Sequence, residues 1–270
     1  MIETQFSTVE IDGHVMTVTI NRPEARNALH SDASWELGAV FDEFERDPEL
    51  WIAIITGAGE KAFSAGADLK GTGAKQDRPP VPPSGFAGFT WRFDRRKPVI
   101  AAVNGSAMGG GFELALASDI IIAAETATFG LTEPRVGLAA LGGGIQRIAE
   151  ELGPKRAHAL LLTARKISAQ EAQALGFVAE VVPADQLLAT ARRWADEILE
   201  CSPASIMATK AVIRSYVNEG LEASNKNMFA IPEVRSLLTG PDAREGPTAF
   251  AQKRKPQWSN PGAAPGSSPA

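Results

Sequence analysis

One stretch limits what this chain can fold into more than any other. From Val99 to Ala117 an apolar run, Val99-Ile100-Ala101-Ala102-Val103, breaks at Asn104-Gly105, passes Gly109-Gly110-Gly111 and continues as Phe112-Glu113-Leu114-Ala115. β-branched and small apolar residues, then glycines, then good helix formers predict a strand, a turn and a helix. Glycines where a helix begins have a geometric use. No side chain there keeps a ligand from the first-turn N–H groups, which lack intrahelical acceptors and sit at the positive end of the dipole. Such donors stabilise an anion or an oxyanion. Glu113 follows Gly110 by three residues, so its carboxyl group leaves the same side of the first turn, among Phe, Leu and Ala neighbours. A lone carboxylate in apolar surroundings is costly unless it is used or paired. From this stretch alone, close packing of glycines and a capping or ion-paired glutamate stand level with chemistry.

The whole chain narrows the choice. Its 270 residues, 44% hydrophobic, suffice for one large domain, or one domain with an appendage, around a sizeable core. A net charge of -5 argues against nucleic acid or an anionic membrane as the main partner. The single cysteine, Cys201, excludes an internal disulfide, and His14, His30 and His158 form no cluster fit for zinc, so a reduced, metal-free interior is expected. Met1 to Phe6 shows no basic region followed by an apolar run, and a cytoplasmic location is the simplest expectation. Val99 to Ala124 is apolar enough to imitate a membrane span, but Asn104, Glu113, Asp119 and the glycines interrupt it.

In chain order, Phe6–Ile11 and His14–Ile20 flank Asp12-Gly13 and predict a hairpin. A Pro-containing loop leaves Arg22 and Arg26 for surface contacts, and Ser31 or Asp32 should cap a helix to about Arg46 with Trp35, Val40, Phe41 and Phe44 inward. Trp51–Thr56 is continuously apolar, as in a parallel strand covered on both faces. Ala62–Lys70 holds a second small-residue turn, expected to lead into a short helix with Asp68 early in it. Residues 71 to 96 shift to Gly, Pro and charge, which suggests a mobile flap ending in a helix from about Ser84 to Arg95. Asp119–Ala124 follows as a buried strand, and Glu133, directly before Pro134, should be extended. Helices are expected from Gly144 to about Leu152, from Pro154 to about Leu162 with His158 packed inward, and after Ser168 with Glu171 three residues on; a strand should end at Val182. Beyond Pro183 four helices are expected, about 184–200, 203–218, 221–237 and 241–253, and Ser259–Ala270 should lack order.

Several common motifs are missing. Neither glycine triplet has the third glycine of Gly-x-Gly-x-x-Gly, no Gly-Lys-Ser/Thr occurs, and neither Ser64 (Ala62, Gly66) nor Ser106 (Asn104, Met108) has glycine two residues away on both sides. What remains is two glycine-containing turns with bare amides and two glutamates. Amides from separate turns can grip one carbonyl oxygen as it gains charge, and a carboxyl pair can pass protons or hold a water.

Five ordered landmarks then carry a resemblance: Asn21-Arg22-Pro23-Glu24-Ala25-Arg26-Asn27-Ala28-Leu29, Phe63-Ser64-Ala65-Gly66-Ala67-Asp68, Pro98 to Glu113, Phe129 to Glu133, and Glu245-Gly246 through Ala249-Phe250 to Lys253-Arg254. Over Phe6 to Trp258 the chain resembles the crotonase (enoyl-CoA hydratase/isomerase) superfamily. The resemblance implies an α/β fold, a crotonase-like spiral of ββα turns over residues 1–200, with a helical trimerisation region over 201–258 and a disordered tail over 259–270. It implies that the amides of Ala67 and Gly110 polarise the thioester carbonyl of an acyl-CoA. Glu113 would then act as base on a water attacking C3 of a trans-2-enoyl-CoA, and Glu133, 20 residues on, would give C2 its proton.

By the same resemblance Ala65, Asp68 and Leu69 border the substrate, and Arg26, Lys70 and, across a subunit boundary, Lys253 meet the CoA phosphates. Phe250 would line the pantetheine path. Coenzyme A is part of the substrate, so no separate cofactor is implied, and the implied assembly is a homotrimer or a dimer of trimers. One departure stands out: Leu141, in Ala139-Ala140-Leu141, falls where hydratases commonly carry Pro-Gly, and it should reshape the acyl pocket. Retention of both glutamates favours hydration over the alternatives, an enoyl-CoA isomerase, an aromatic acyl-CoA hydratase-lyase, a hydrolase or a catalytically silent acyl-CoA-binding protein.

Overall fold

In the computed structural model, which describes residues 3–69 and 79–261, the chain opens with the hairpin of β1 (Ser7–Asp12) and β2 (Val15–Ile20), paired from Ser7↔Ile20 to Asp12↔Val15 around Gly13. After α1 (Ser31–Arg46), β3 (Ile52–Gly57) pairs parallel to β2, and β4 (Ala62–Ser64) leaves to start a second sheet. The next circuits repeat this order. β5 (Val99–Val103) joins the first sheet, β6 (Ser106–Met108) the second, and α2 (Gly110–Ala117) closes the turn. β7 (Ile120–Ala124) and β8 (Thr128–Gly130) follow in the same way, before α3 (Gly144–Leu152) and α4 (Pro154–Leu161). β9 (Ile167–Ser168), α5 (Ala169–Leu175) and β10 (Glu180–Val182) complete the sheets. Their orders are β1-β2-β3-β5-β7-β10 and β4-β6-β8-β9. This is the α/β spiral of ββα turns that the resemblance implies.

The first sheet is covered on both faces, which explains its unbroken apolar strands. Along β5 the side chains alternate: Val99, Ala101 and Val103 pack with Leu37, Phe41 and Leu114, whereas Ile100 and Ala102 face the opposite cluster with Leu187, Ala191 and Ala195. The latter three belong to α6 (Leu187–Leu199), so this helix covers the outer face. Beyond it come α7 (Pro203–Glu219), α8 (Leu221–Asn227), α9 (Pro232–Thr239) and α10 (Asp242–Ala251). Lys210 of α7 ties this region to the sheet, donating to Lys97 O at 2.9 Å and to Asp119 Oδ2 at 2.7 Å. Among the described residues no helix is long and apolar enough to cross a membrane.

Several expectations are corrected. His30, not Ser31 or Asp32, caps α1, its ring accepting from Ala33 N. No helix runs from Ser84 to Arg95; a single 3-10 turn, Phe86–Gly88, occurs instead. The cause is Gly88, at φ +61, lying so close to α1 that an added Cβ would be 2.2 Å from Gly38 N. Up to Leu69 the turn after β4 shows no helix but a parallel bridge of Ala67 to Leu29. Glu133 is the first residue of a 3-10 turn, Glu133–Val136, in which Pro134 stands where its missing N–H costs nothing. His158 is exposed rather than packed. The helix expected over 221–237 divides at Ile231-Pro232. Ser259 N donates to Asp242 Oδ1 at 2.9 Å and Asn260 accepts from Trp51 Nε1 at 3.2 Å, so the expected loss of order does not begin at Ser259. Residues 262–270, and residue 70 with 71–78 of the expected flap, lie outside the described residues.

Candidate active site

The second sheet assembles the site. β4 pairs parallel to β6 (Ala62↔Ser106, Ser64↔Ala107), and β6 pairs parallel to β8 up to Met108↔Gly130. Three segments therefore leave one sheet edge side by side, carrying Ala65 to Ala67, Gly109 to Glu113, and Leu131 to Glu133. The approach is very close. A Cβ on Gly66 (φ +86) would lie 2.7 Å from Met108 O and 2.9 Å from Gly110 N, and one on Gly111 would lie 2.2 Å from Ser64 O. Only hydrogen fits between these turns.

Leu29 N donates to Gly66 O and Asp68 N donates to Leu29 O, a bridge in which Ala67 N has no backbone acceptor among the described residues. Gly110 opens α2, and its N–H has no backbone acceptor among the described residues. Both residues line one cavity of about 410 Å³, together with Glu113 and Glu133. Two bare donors on the wall of an apolar hollow are suited to an oxygen that gains negative charge.

The two carboxyl groups differ in their surroundings. Glu113 is 4% exposed, and its Oε1 accepts from Gly144 N at 2.9 Å. Gly142 lies so close that an added Cβ would be 2.6 Å from Glu113 Oε2. Burial raises the Glu113 pKa above the usual carboxylate range, while the Gly144 and Gly142 amides and the Arg147 cation oppose that rise. Glu133 has an Oε2 that is buried without a hydrogen-bond partner among the described residues. Burial raises its pKa too, and the Glu113 charge adds to the rise. Two coupled acids in one hollow titrate as a pair. Burial disfavours the ion at both, but the two amides and the Arg147 cation oppose that at Glu113, so of the two Glu113 is the better supported as the ion.

Of the other expected residues, Ala65, Leu69 and Leu141 line the cavity. Arg26, Asp68, Phe250 and Lys253 do not. Arg26 is exposed at φ +54 in the loop after β2. Asp68 is ion-paired with Arg22 at 3.1 Å, and Arg22 also donates to Ala28 O; Arg22 is thus spent on joining two loops rather than left for surface contacts. Phe250 is 86% exposed on α10, with Lys253 just beyond it, and Lys70 lies outside the described residues. Trp91, which the resemblance places where acyl selectivity is set, walls the cavity; missed by the sequence reading are Phe86 beside it and the Gly142–Gly144 turn, taken only as a helix start. The signal was available in part: a second glycine triplet needs a reason, and a buried carboxylate in want of donors supplies one. No group of three His, Cys, Asp or Glu fit for a metal occurs among the described residues.

A spiral of paired strands and helices, with two bare amides and two buried carboxyls on one cavity, defines a crotonase-fold enzyme. The chain belongs to the enoyl-CoA hydratase/isomerase family, whose sequence model matches residues 10–261. It is 44% identical over 250 residues to a carnitinyl-CoA dehydratase of Citrobacter koseri, covering 91% of this chain and 95% of that one. The solved structure of an enoyl-CoA hydratase from Mycobacterium tuberculosis superposes with a TM-score of 0.88 at 36% identity, over 95% of this chain and 99% of that one. A carnitinyl-CoA hydratase from Mycobacterium avium gives 0.74 at 43% identity, over 95% and 99%.

Proposed function

We propose that this chain adds water across the C2=C3 bond of a 2-enoyl-CoA thioester and, in reverse, dehydrates a 3-hydroxyacyl-CoA. The reading rests on one observation: two buried carboxyls in unlike settings, Glu113 held by the Gly144 amide and Glu133 with an unpartnered oxygen, share a cavity with two amides that have no acceptor among the described residues. The Ala67 and Gly110 amides take the thioester oxygen, and C3 becomes electrophilic. Glu113 removes a proton from water as the oxygen bonds to C3, and Glu133 gives its proton to C2 as the enolate collapses. Proton exchange with solvent resets the pair. Each amide is worth roughly 3–4 kcal/mol of barrier in comparable sites.

A second reading concerns the acyl end. Among the described cavity-lining side chains only Glu113 and Glu133 are charged, and Phe86 and Trp91 add aromatic rings. Such a pocket suits a quaternary ammonium as well as an alkyl chain, and the 44% identical relative is a carnitinyl-CoA dehydratase. Carnitinyl-CoA, a 3-hydroxyacyl thioester with a trimethylammonium end, is therefore the finer candidate. Arg26 and a neighbouring copy's Lys253 would meet the CoA phosphates. The exposed Ile213, Tyr216, Leu221 and Phe229 of the helical region would be covered in a trimer, in keeping with a soluble cytoplasmic enzyme.

The test is turnover of crotonyl-CoA, carnitinyl-CoA and a 3-enoyl-CoA by the wild type, E113Q and E133Q. Hydration or dehydration lost in both variants, with acyl-CoA binding kept, is expected. Isomerisation of the 3-enoyl-CoA without turnover of the other two would replace the hydratase reading with an isomerase, and loss of binding together with turnover would make the glutamates structural.

A further inference from the structure

Arg147 is a cation that the proposed reaction does not use, yet it stands behind the proposed base. It lies one turn into α3, with its backbone N–H on Gly143 O at 3.1 Å. Its guanidinium bends back over its own helix start: Nη1 donates to Gly142 O at 3.4 Å and Nη2 to Thr90 O at 2.7 Å. These carbonyls belong to two walls of the acyl cavity. Gly142 is in the turn whose Gly144 amide holds Glu113, and Thr90, fully buried, immediately precedes the wall residue Trp91. Gly143, at φ +104, makes room for the clamp, since a Cβ there would be 2.2 Å from Nη1.

The charge has few other claims on it. Burial and Arg95 disfavour the cation, while Glu113 and Glu150 favour it. Arg95 is itself held by Asp119 at 2.9 Å. From the other side, the charged groups acting on Glu113 and its partner acid are Arg147 on α3 and the Glu113–Glu133 pair itself. An ammonium could match the charge of Arg147, but a rigid fork is what spans two carbonyls on separate segments.

We propose that Arg147 is a positioning residue for the addition of water: it locks the Gly142–Gly144 turn to the Thr90–Trp91 wall, fixing the Glu113 carboxylate against the acyl chain with a cation behind it. The proposal rests on the hydratase reading above. It makes the fit of the acyl end against Trp91 and the aim of the base parts of one mechanical unit.

The test compares wild type, R147K, R147Q and R147M in kcat, KM and the pH profile of kcat, with Tm as a check on folding. For R147M and R147Q the expected result is a loss in kcat of about 10²-fold, the cost of an ångström-scale misplacement, with KM little changed and the acid limb moved to higher pH. R147K should keep the acid limb of the wild type but recover only part of kcat. Should R147M not fold, R147Q, which keeps two N–H donors without the charge, carries the same readouts. An acid limb unmoved in R147Q, or a kcat loss matched by the loss of folded protein, overturns the proposal. An E113Q variant that retains turnover sinks the hydratase reading instead, so the two failures are told apart.

Discussion

Gly142→Ala puts the catalytic geometry under the most direct strain. Gly142 has no left-handed φ, so the backbone accepts alanine, but the new Cβ would sit 2.6 Å from Glu113 Oε2 and 3.0 Å from its Cδ. To reach ordinary contact near 3.4 Å the carboxylate must retreat by about 0.8 Å. The group that moves is the far end of a side chain, so the fold loses little, and the narrower unfolded ensemble returns roughly 0.4–1 kcal/mol. For the reaction the same shift is severe. A misplacement of about 1 Å costs on the order of 10²-fold in rate, or about 2.7 kcal/mol of barrier. Steady-state hydration of crotonyl-CoA, or dehydration of carnitinyl-CoA, measured beside a thermal melt, reads both quantities. The expected outcome is a Tm within a few degrees of the wild type and a kcat down by about two orders of magnitude. A kcat within threefold of the wild type would show that Glu113 does not need its present position, and the assignment of Glu113 as base would fall.

Other outcomes follow from the same geometry. Both glutamates are raised above the ordinary carboxylate pKa of about 4.3, so kcat/KM against pH should form a bell whose acid limb lies above that value; a plateau down to pH 4 would contradict the carboxyl pair. A raised folded pKa means that ionising Glu133 costs stability as pH rises through it. E133Q should therefore melt higher than the wild type at pH 8 and equally at pH 4, and an unchanged difference across that range would remove Glu133 from its buried, unpartnered setting. Gly111→Ala drives a Cβ to 2.2 Å from the Ser64 carbonyl oxygen, a backbone atom that cannot rotate away. Denaturant titration should show about 1–3 kcal/mol of stability lost, together with loss of turnover as the two turns separate; unaltered stability would mean that the turns do not touch.

What local chemistry could announce, the sequence announced. The apolar run of β5 shows strand and double-sided burial, Ser168 with Glu171 marks the start of α5, and Gly109-Gly110-Gly111 before Glu113 marks amides and an acid in one helix turn. Periodicity and capping are short-range signals, and each of these features lies within a few residues of its cause. β6 and β8 were invisible because three residues carry no period. The helix expected over 84–95 was lost to a contact with Gly38, which no local pattern near Gly88 reveals. The same holds at the site itself. Only the parallel register of β4, β6 and β8 sets Ala67 beside Gly110 and brings Glu133 to Glu113. The donors that distinguish the two acids come from a turn 31 residues beyond Glu113, and Arg147 reaches Thr90 across 57 residues. The sequence by itself determined which groups exist and which local shapes they can take. The tertiary structure alone decided which of them are desolvated together, because burial and charge coupling depend on distances that only the packed sheets define.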